Sequence, residues 1–264
     1  MGKLAITLVA GAFLALPLGP ARALTVDEIV SKANLASYYA GDDGVARAKM
    51  LIYDKQGRTR EREITILRKD KEDGGEQYYY VYFHKPGDVR KMVFMVHKHI
   101  DRDDDRWLYL PALDLVKRIA ASDKRTSFAG SHFFYEDVSG RSPTEDTHTL
   151  KEETGEYYVL DNLPKDPANV EFTHYVVWID KKTFLPMKAE YYDAQGKVYR
   201  RMTVEKVEVI QGIPTVTRAK MEDLNTGGYT EMTFTKIEYN QGIPDKIFTE
   251  RYLRKPPRKY IRRR

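Results

Sequence analysis

Six histidines and 39 carboxylates supply material for metal or acid–base chemistry, so their spacing is the first question. Asp101-Arg102-Asp103-Asp104-Asp105 has the alternating acids that open a calcium loop, but the sixth position is Arg106 rather than glycine. The twelfth is Ala112 rather than glutamate, so the loop cannot close around a cation in that way. A solvated hairpin turn is expected instead, because so dense a charge run is costly to bury. His97 and His99 would share one face of a strand, which leaves two readings: a pair of metal ligands with acids nearby, or two solvated imidazoles at the wet end of a hairpin. His84, His132, His148 and His174 show no ligand spacing. No zincin helix motif, nucleophile elbow, phosphate-binding loop or dinucleotide fingerprint occurs. The chain has no cysteine, which excludes disulfides, thiolate ligands, a cysteine nucleophile and a lipidated amino-terminal cysteine. We therefore expect neither an enzyme nor a cofactor or metal protein.

The residues better suited to chemistry are apolar, and the chemistry is binding. From Arg106 to Val138 the chain reads RWLYLPALDLVKRIAASDKRTSFAGSHFFYEDV, with Trp107 to Leu110 as a short strand, Pro111 to Asp114 as a turn and Leu115 to Ala120 as a return strand. Phe128, Phe133, Phe134 and Tyr135 then crowd around Gly130 in a segment too irregular for a core strand. Aromatic groups on a loop need cover, which a bound apolar ligand can supply.

Lys85-Pro86-Gly87-Asp88-Val89-Arg90, Trp107 to Leu113, Val116-Lys117-Arg118-Ile119, and Gly130-Ser131 followed by Phe133 to Asp137 together resemble the outer-membrane lipoprotein-sorting-like family, the LolA-like and LolB-like proteins. That family commonly has aspartate where this chain has His132, so no role is carried over for that position. The resemblance implies a single curved antiparallel sheet, a half-open barrel with an amino-terminal helix and a helical or loop lid, enclosing a cavity for acyl chains and performing no catalysis.

The amino terminus carries Lys3, an apolar stretch from Leu4 to Leu18, and Ala21-Arg22-Ala23. This is the pattern of a cleaved export signal, so 1–23 is read as a signal peptide and Leu24 as the mature start, with an uncleaved anchor as the other reading. A periplasmic protein, soluble after cleavage, is expected. The formal charge is +5, and removing Lys3 and Arg22 leaves +3. Residues 251–264 hold eight basic side chains and no acid, so 24–250 carries a net −5 and the high pI belongs to the tail. An acidic body argues against a nucleic-acid face.

Thr25 and Glu28 form a capping box, and Ile29, Ala33, Ala36 and Tyr39 line one side of the helix that follows. That helix either closes one end of a sheet or covers a cavity. Beyond Gly44 turn signals recur at 55–57, 73–75, 101–105, 193–196, 211–214 and 225–228, which indicates a meander of roughly ten strands in one domain, 24–250, followed by the tail 251–264. Late strands alternate, with Met187, Ala189 and Tyr191 against Lys188 and Glu190, and Thr217, Ala219 and Met221 against Arg218, Lys220 and Glu222. Such strands have one wet face. Tyr78 to Phe83 and Met92 to Val96 are apolar on both faces, so they are either sandwiched in the core or line a cavity. Glu205 to Pro214 is echoed by Thr235 to Pro244, which suggests successive strand pairs reusing one turn.

These observations lead to two functional expectations. The first is a periplasmic carrier or chaperone for a lipid, a lipoprotein acyl group or another long apolar molecule passing between the inner and outer membranes. Met92, Phe94, Trp107, Tyr109, Phe128, Phe133 and Phe134 are its expected lipid contacts, with the first helix and residues 124–138 as movable cover. The second is an adaptor for an inner-membrane exporter that carries no cargo. In either case Arg254, Lys255, Arg258, Lys259, Arg262, Arg263 and Arg264 are expected to dock to a partner or an anionic membrane. Pro256-Pro257 suggests an extended, mobile arm there, removable after Tyr252 without loss of the fold.

Overall fold

The computed structural model describes residues 22–261, and within them all thirteen strands join one antiparallel sheet. After helix α1 (Val26–Tyr38) come β1 (Asp43–Tyr53), β2 (Thr59–Asp70), β3 (Gln77–Lys85), β4 (Val93–Lys98), β5 (Asp105–Leu110) and β6 (Leu115–Ile119). A non-strand segment containing α2 (Tyr135–Ser139) leads to β7 (Asp146–Glu153), β8 (Tyr157–Pro164), β9 (His174–Asp180), β10 (Pro186–Tyr192), β11 (Val198–Ile210), β12 (Ile213–Asp223) and β13 (Gly228–Tyr239). Two short helices, α3 (Glu250–Arg254) and α4 (Arg258–Ile261), follow. In space the order runs from β6 back to β1, then β13 back to β7. Chain neighbours pair throughout except β6 and β7, which are the two free edges, while β1 and β13 close the meander from Gly44–Tyr239 to Tyr53–Tyr229 with a one-residue shift after Arg47.

The sheet is strongly curled. Six strand steps separate β3 from β10, a distance of roughly 29 Å in a flat sheet. Yet Tyr79 and Val81 of β3 line the same cavity as Ala189 and Tyr191 of β10. The sheet is not closed: residues 120–145, which join its two edge strands β6 and β7, cross its concave side.

The capping box forms as its residues dictate: the Thr25 N–H donates to Glu28 Oε2 at 2.7 Å and the Glu28 N–H to Thr25 Oγ1 at 3.2 Å. Ile29 and Ala33 then bury against Leu160 of β8 and Ile179 of β9, so α1 covers the concave side at the β7–β9 end. At the other end, Phe128 from the crossing segment packs with Met50, Ile64, Val81, Phe83 and Phe94.

The outer face of the first-half strands is covered as well, by a part of the chain expected to be loose. Leu67, Tyr80, Val93 and Met95 pack against Ile243, Ile247, Phe248 and Leu253 from the carboxy-terminal segment. Polar clamps fix this cover: Asp43 accepts from the N–H groups of Gln241 and Ile243, both at 2.6 Å, and the Tyr80 hydroxyl donates to the Tyr252 carbonyl at 2.7 Å. The expected mobile arm is thus corrected over 251–261. Pro256-Pro257 does interrupt helix, but on either side Leu253 is fully buried and Ile261 nearly so, and Leu253 and Tyr260 join the hydrophobic cover. Arg254, Lys255, Arg258 and Lys259 lie on α3, α4 and the link between them. Arg262, Arg263 and Arg264 lie outside the described residues, as does almost all of the expected signal.

The sequence echo also resolves differently at its two sites. Gln211-Gly212 joins β11 to β12 as a hairpin. The second copy follows β13, whose two sides are already taken by β12 and β1. With no edge left to pair, the chain after Tyr239 leaves the sheet and starts the outer cover.

Candidate functional site

The concave side holds a cavity of about 400 Å³. Its floor comes from alternate residues of the late strands, Ala189 and Tyr191, Met202 and Val204, Ala219 and Met221, Met232 and Phe234, continued by Ile64 and Ile66 of β2. Its roof comes from Ala36, Ser37 and Tyr38 of α1 and from Phe128, Phe133 and Val138 of the crossing segment. Small alanines leave space, and methionines can repack around guests of varied shape.

Two charged side chains reach this lining, and both are neutralised. Arg68 donates to the carbonyls of Tyr38, Ala40 and Gly41, the latter two at 2.6 Å, and pairs with Asp70 at 3.3 Å. Asp137 accepts the Phe134 N–H at 2.6 Å and pairs with Arg200. The wall therefore offers an apolar guest a surface without an unpaired charge, as such a guest requires.

The roof is tied to the second half of the sheet by a buried ionic network. Glu136, 2% exposed, meets Lys124, Arg125 and Arg141. Burial alone would raise its carboxyl, but Arg125, Arg141 and Lys124 together hold it below the ordinary range. Arg125 also grips both oxygens of Glu171 at 2.6 Å, and Arg141 binds Asp146 at 2.9 Å. The Phe134 ring is approached by two guanidinium groups, Arg200 at 4.0 Å and Arg125 at 5.2 Å, contacts that favour a cation over an aromatic face.

The seven expected lipid contacts therefore separate. Phe128 and Phe133 line the cavity. Met92 and Phe94 face the same side but are sealed in the packed cluster, Phe94 fully buried with its ring 5.5 Å from Phe128 and 5.0 Å from Tyr135. Trp107 and Tyr109 point to the outer face, toward the carboxy-terminal cover, which corrects their placement with Phe94 on one wall. The parity of β5 decides this: Leu108 and Leu110 take the inner side, so their neighbours cannot. Phe134 packs among the arginines instead. Sequence reasoning missed the floor, although Ala189, Tyr191, Ala219 and Met221 had been visible as the apolar side of alternating strands.

His97 and His99 are held by separate partners. His97 Nε2 lies 2.8 Å from the Phe248 carbonyl, with its ring edge-on to Trp107 and Tyr78, and burial lowers its pKa. His99 sits between Glu76 at 2.5 Å and Asp105 at 3.1 Å. Both imidazoles serve the ends of strands.

A family model described as "Uncharacterized protein" matches residues 75–255, well over half of the chain. The chain belongs to that family, the DUF1329 family. A solved DUF1329 family protein from Desulfovibrio piger is 29% identical, with 86% of this chain and 97% of that one covered and a TM-score of 0.78. A putative outer membrane lipoprotein-sorting protein domain from Vibrio parahaemolyticus is 28% identical over 86% of this chain and 97% of its own, TM-score 0.77. A LolA superfamily protein from Nitrosomonas europaea, 22% identical over 87% of this chain and all of its own, superposes with a TM-score of 0.68. No curated protein matches. The resemblance carried by residues 85–137 holds at the level of family and fold: this is a mainly β protein whose sheet, not closed into a barrel, has the same fold as that Nitrosomonas protein.

Proposed function

We propose that this protein is a periplasmic carrier or chaperone that shields one long apolar group, a lipid or a lipoprotein acyl chain, during transfer between the inner and outer membranes. The observation that carries the reading is the cavity, whose wall is apolar and whose two charged groups are both paired. Its 400 Å³ is within the span of sites for small molecules, roughly 300–1,000 Å³. If a methylene occupies about as much space as a water molecule in the liquid, about 30 Å³, the cavity holds a chain of about a dozen carbons. At about 0.8 kcal/mol per methylene removed from water, such cover makes the difference between a chain that stays in its membrane and one that can leave it. The Vibrio protein's description as a lipoprotein-sorting domain and the export-signal pattern before Leu24 support the same compartment and task. The reading includes no catalysis. Loading or unloading would bring the protein to an inner-membrane exporter or to an anionic membrane surface, through the basic residues at its carboxy terminus.

Native mass spectrometry of protein purified from the periplasm tests the reading. Co-purifying lipid, displaced when the cavity is filled by Ala219→Phe, is the expected result. A clean apo mass, with no uptake of added fatty acid or lipopeptide, would replace the carrier by an adaptor without cargo.

A further inference from the structure

The hairpin between β5 and β6 turns at Pro111–Leu113 and at Asp114, whose φ is 44°. It leaves Leu113 70% and Leu115 45% exposed. A single exposed leucine requires no explanation, but this pair lies at the margin of the carboxy-terminal cover. Arg254 of α3 pairs with Asp114 at 3.3 Å, and its guanidinium lies 6.0 Å from the Tyr109 ring. Around it Arg251, Lys255, Arg258 and Lys259 are exposed and form no ion pair among the described residues, and the same holds for Lys117 on β6. On the other strands many exposed cations are matched, as Lys49 is by Glu61, Lys206 by Glu208 and Lys236 by Glu238, though Arg60 on β2 and Lys151 on β7 are not. Cations on an edge strand also discourage pairing with another sheet, which explains Lys117 and Arg118. It does not explain two leucines at the tip or the unmatched charge on α3 and α4.

We propose that the β5–β6 tip and the α3–α4 surface form one docking face for an anionic lipid bilayer. The unpaired cations meet lipid phosphates, while Leu113 and Leu115 enter the layer below the head groups. A two-leucine tip is far smaller than the apolar centre of a specific protein interface, which buries about 1,000 Å² or more. It is sufficient for shallow insertion, and long lysine and arginine stems can remain over apolar surface with their charges in the head-group layer. Because α3 and α4 are packed onto the sheet through Leu253 and Tyr260, their cations are displayed by the folded domain at a fixed face. The proposal deepens the carrier reading by naming the surface at which loading or release takes place, and takes its purpose from that reading.

The test uses the full mature protein and sedimentation with vesicles of phosphatidylcholine, with or without phosphatidylglycerol, at low and at physiological salt. The protein should bind the phosphatidylglycerol vesicles and bind pure phosphatidylcholine much more weakly. At about fivefold per basic residue near the surface, the triple variant Lys255→Gln, Arg258→Gln, Lys259→Gln should weaken low-salt binding by about a hundredfold. The double variant Leu113→Ser, Leu115→Ser should keep low-salt binding within about tenfold and lose the part that survives physiological salt, where screening over about 8 Å leaves insertion as the main hold. Both sets of positions are exposed, so unchanged melting is expected and is checked alongside. Failure of the wild type to bind, equal binding to both vesicle types, or unaltered binding by both variants would overturn the proposal in favour of a protein partner or none. Fatty-acid uptake measured on the same samples keeps the two readings apart: its absence sinks the carrier and leaves the vesicle result standing.

Discussion

Strands β2–β5 and strands β10–β13 share one sheet and turn apolar residues toward the same concave side, yet the cavity floor is built mainly from the second set. The difference lies in what covers each region. The first set is buried on both faces, inside by the Phe128 segment and outside by Ile243, Phe248 and Leu253. The second set has ion pairs such as Lys188–Glu190 and Lys220–Glu222 on its outer face, while its inner face is left unfilled by alanines and methionines. A doubly apolar strand here marks the place where the protein has supplied both of its own partners. The alternating strand, with one wet face, is the one with room for a guest.

The largest effect that would break this comparison is removal of the outer cover. A chain ending at Tyr252 keeps Ile243, Ile247 and Phe248 but loses Leu253 and Ile261, both buried, and so opens part of the cover over the apolar outer face of β2–β5. With roughly 2–5 kcal/mol for each such side chain, we expect a loss of about 5 kcal/mol or more in chemical denaturation. Retention of wild-type stability would restore the picture of a dispensable arm.

Next come substitutions that separate packed core from cavity wall. Phe94→Asp should abolish folding or cost about 4 kcal/mol or more, since the side chain is fully buried among apolar groups and two aromatic rings. Ala219→Phe should instead keep the fold within about 1–3 kcal/mol while reducing uptake of a fluorescent fatty acid at least tenfold. If Phe94→Asp folds and only uptake fails, the two regions have been assigned the wrong way round.

A smaller effect is tied to pH. Burial raises the Asp70 carboxyl from 3.8 to about 6, against the pull of Arg68 and of a hydrogen bond from Gln77. Between these values the folded chain holds a proton that the unfolded chain has released, so this group makes stability fall as pH rises through the window and level off above it. Asp70→Asn should remove that slope, worth at most about 3 kcal/mol before solvent screening reduces it, in melts compared across the window. An identical slope in both proteins would assign it to other groups.

The smallest effect belongs to the wet face. Lys220→Ala removes a partly exposed partner of Glu222 and should change stability by no more than about 0.5 kcal/mol, with uptake unaltered. A larger loss would mean that the outer face of β10–β13 is covered too.

Part of this organisation was legible in the chain. The Thr25–Glu28 capping box, the turns and the alternation of the late strands are local, and each appears where its residues place it. That Phe128 and Phe133 line the cavity was legible, because aromatics on an irregular segment need cover. The inner and outer assignments of Trp107 and Tyr109 were not, because a strand flanked by apolar residues on both sides gives no sign of which parity faces inward. Nor could composition show that the basic tail is half apolar cover, since its arginines and lysines dominate the charge while Leu253 and Ile261 dominate the packing.

By itself the sequence determined the elements and their chemistry: a capped helix, a long antiparallel meander, a chain without cysteine and a basic carboxy terminus. Periodicity and turn geometry are properties of neighbouring residues, so they survive without knowledge of the fold. The tertiary structure decided which strands became edges, where the echoed turn ceased to make a hairpin, and which apolar face was filled by the chain itself and which was left open. Those outcomes depend on contacts between residues far apart in the chain, Asp43 with Gln241 or Phe94 with Phe128. Burial is settled only when distant segments compete for the same surface.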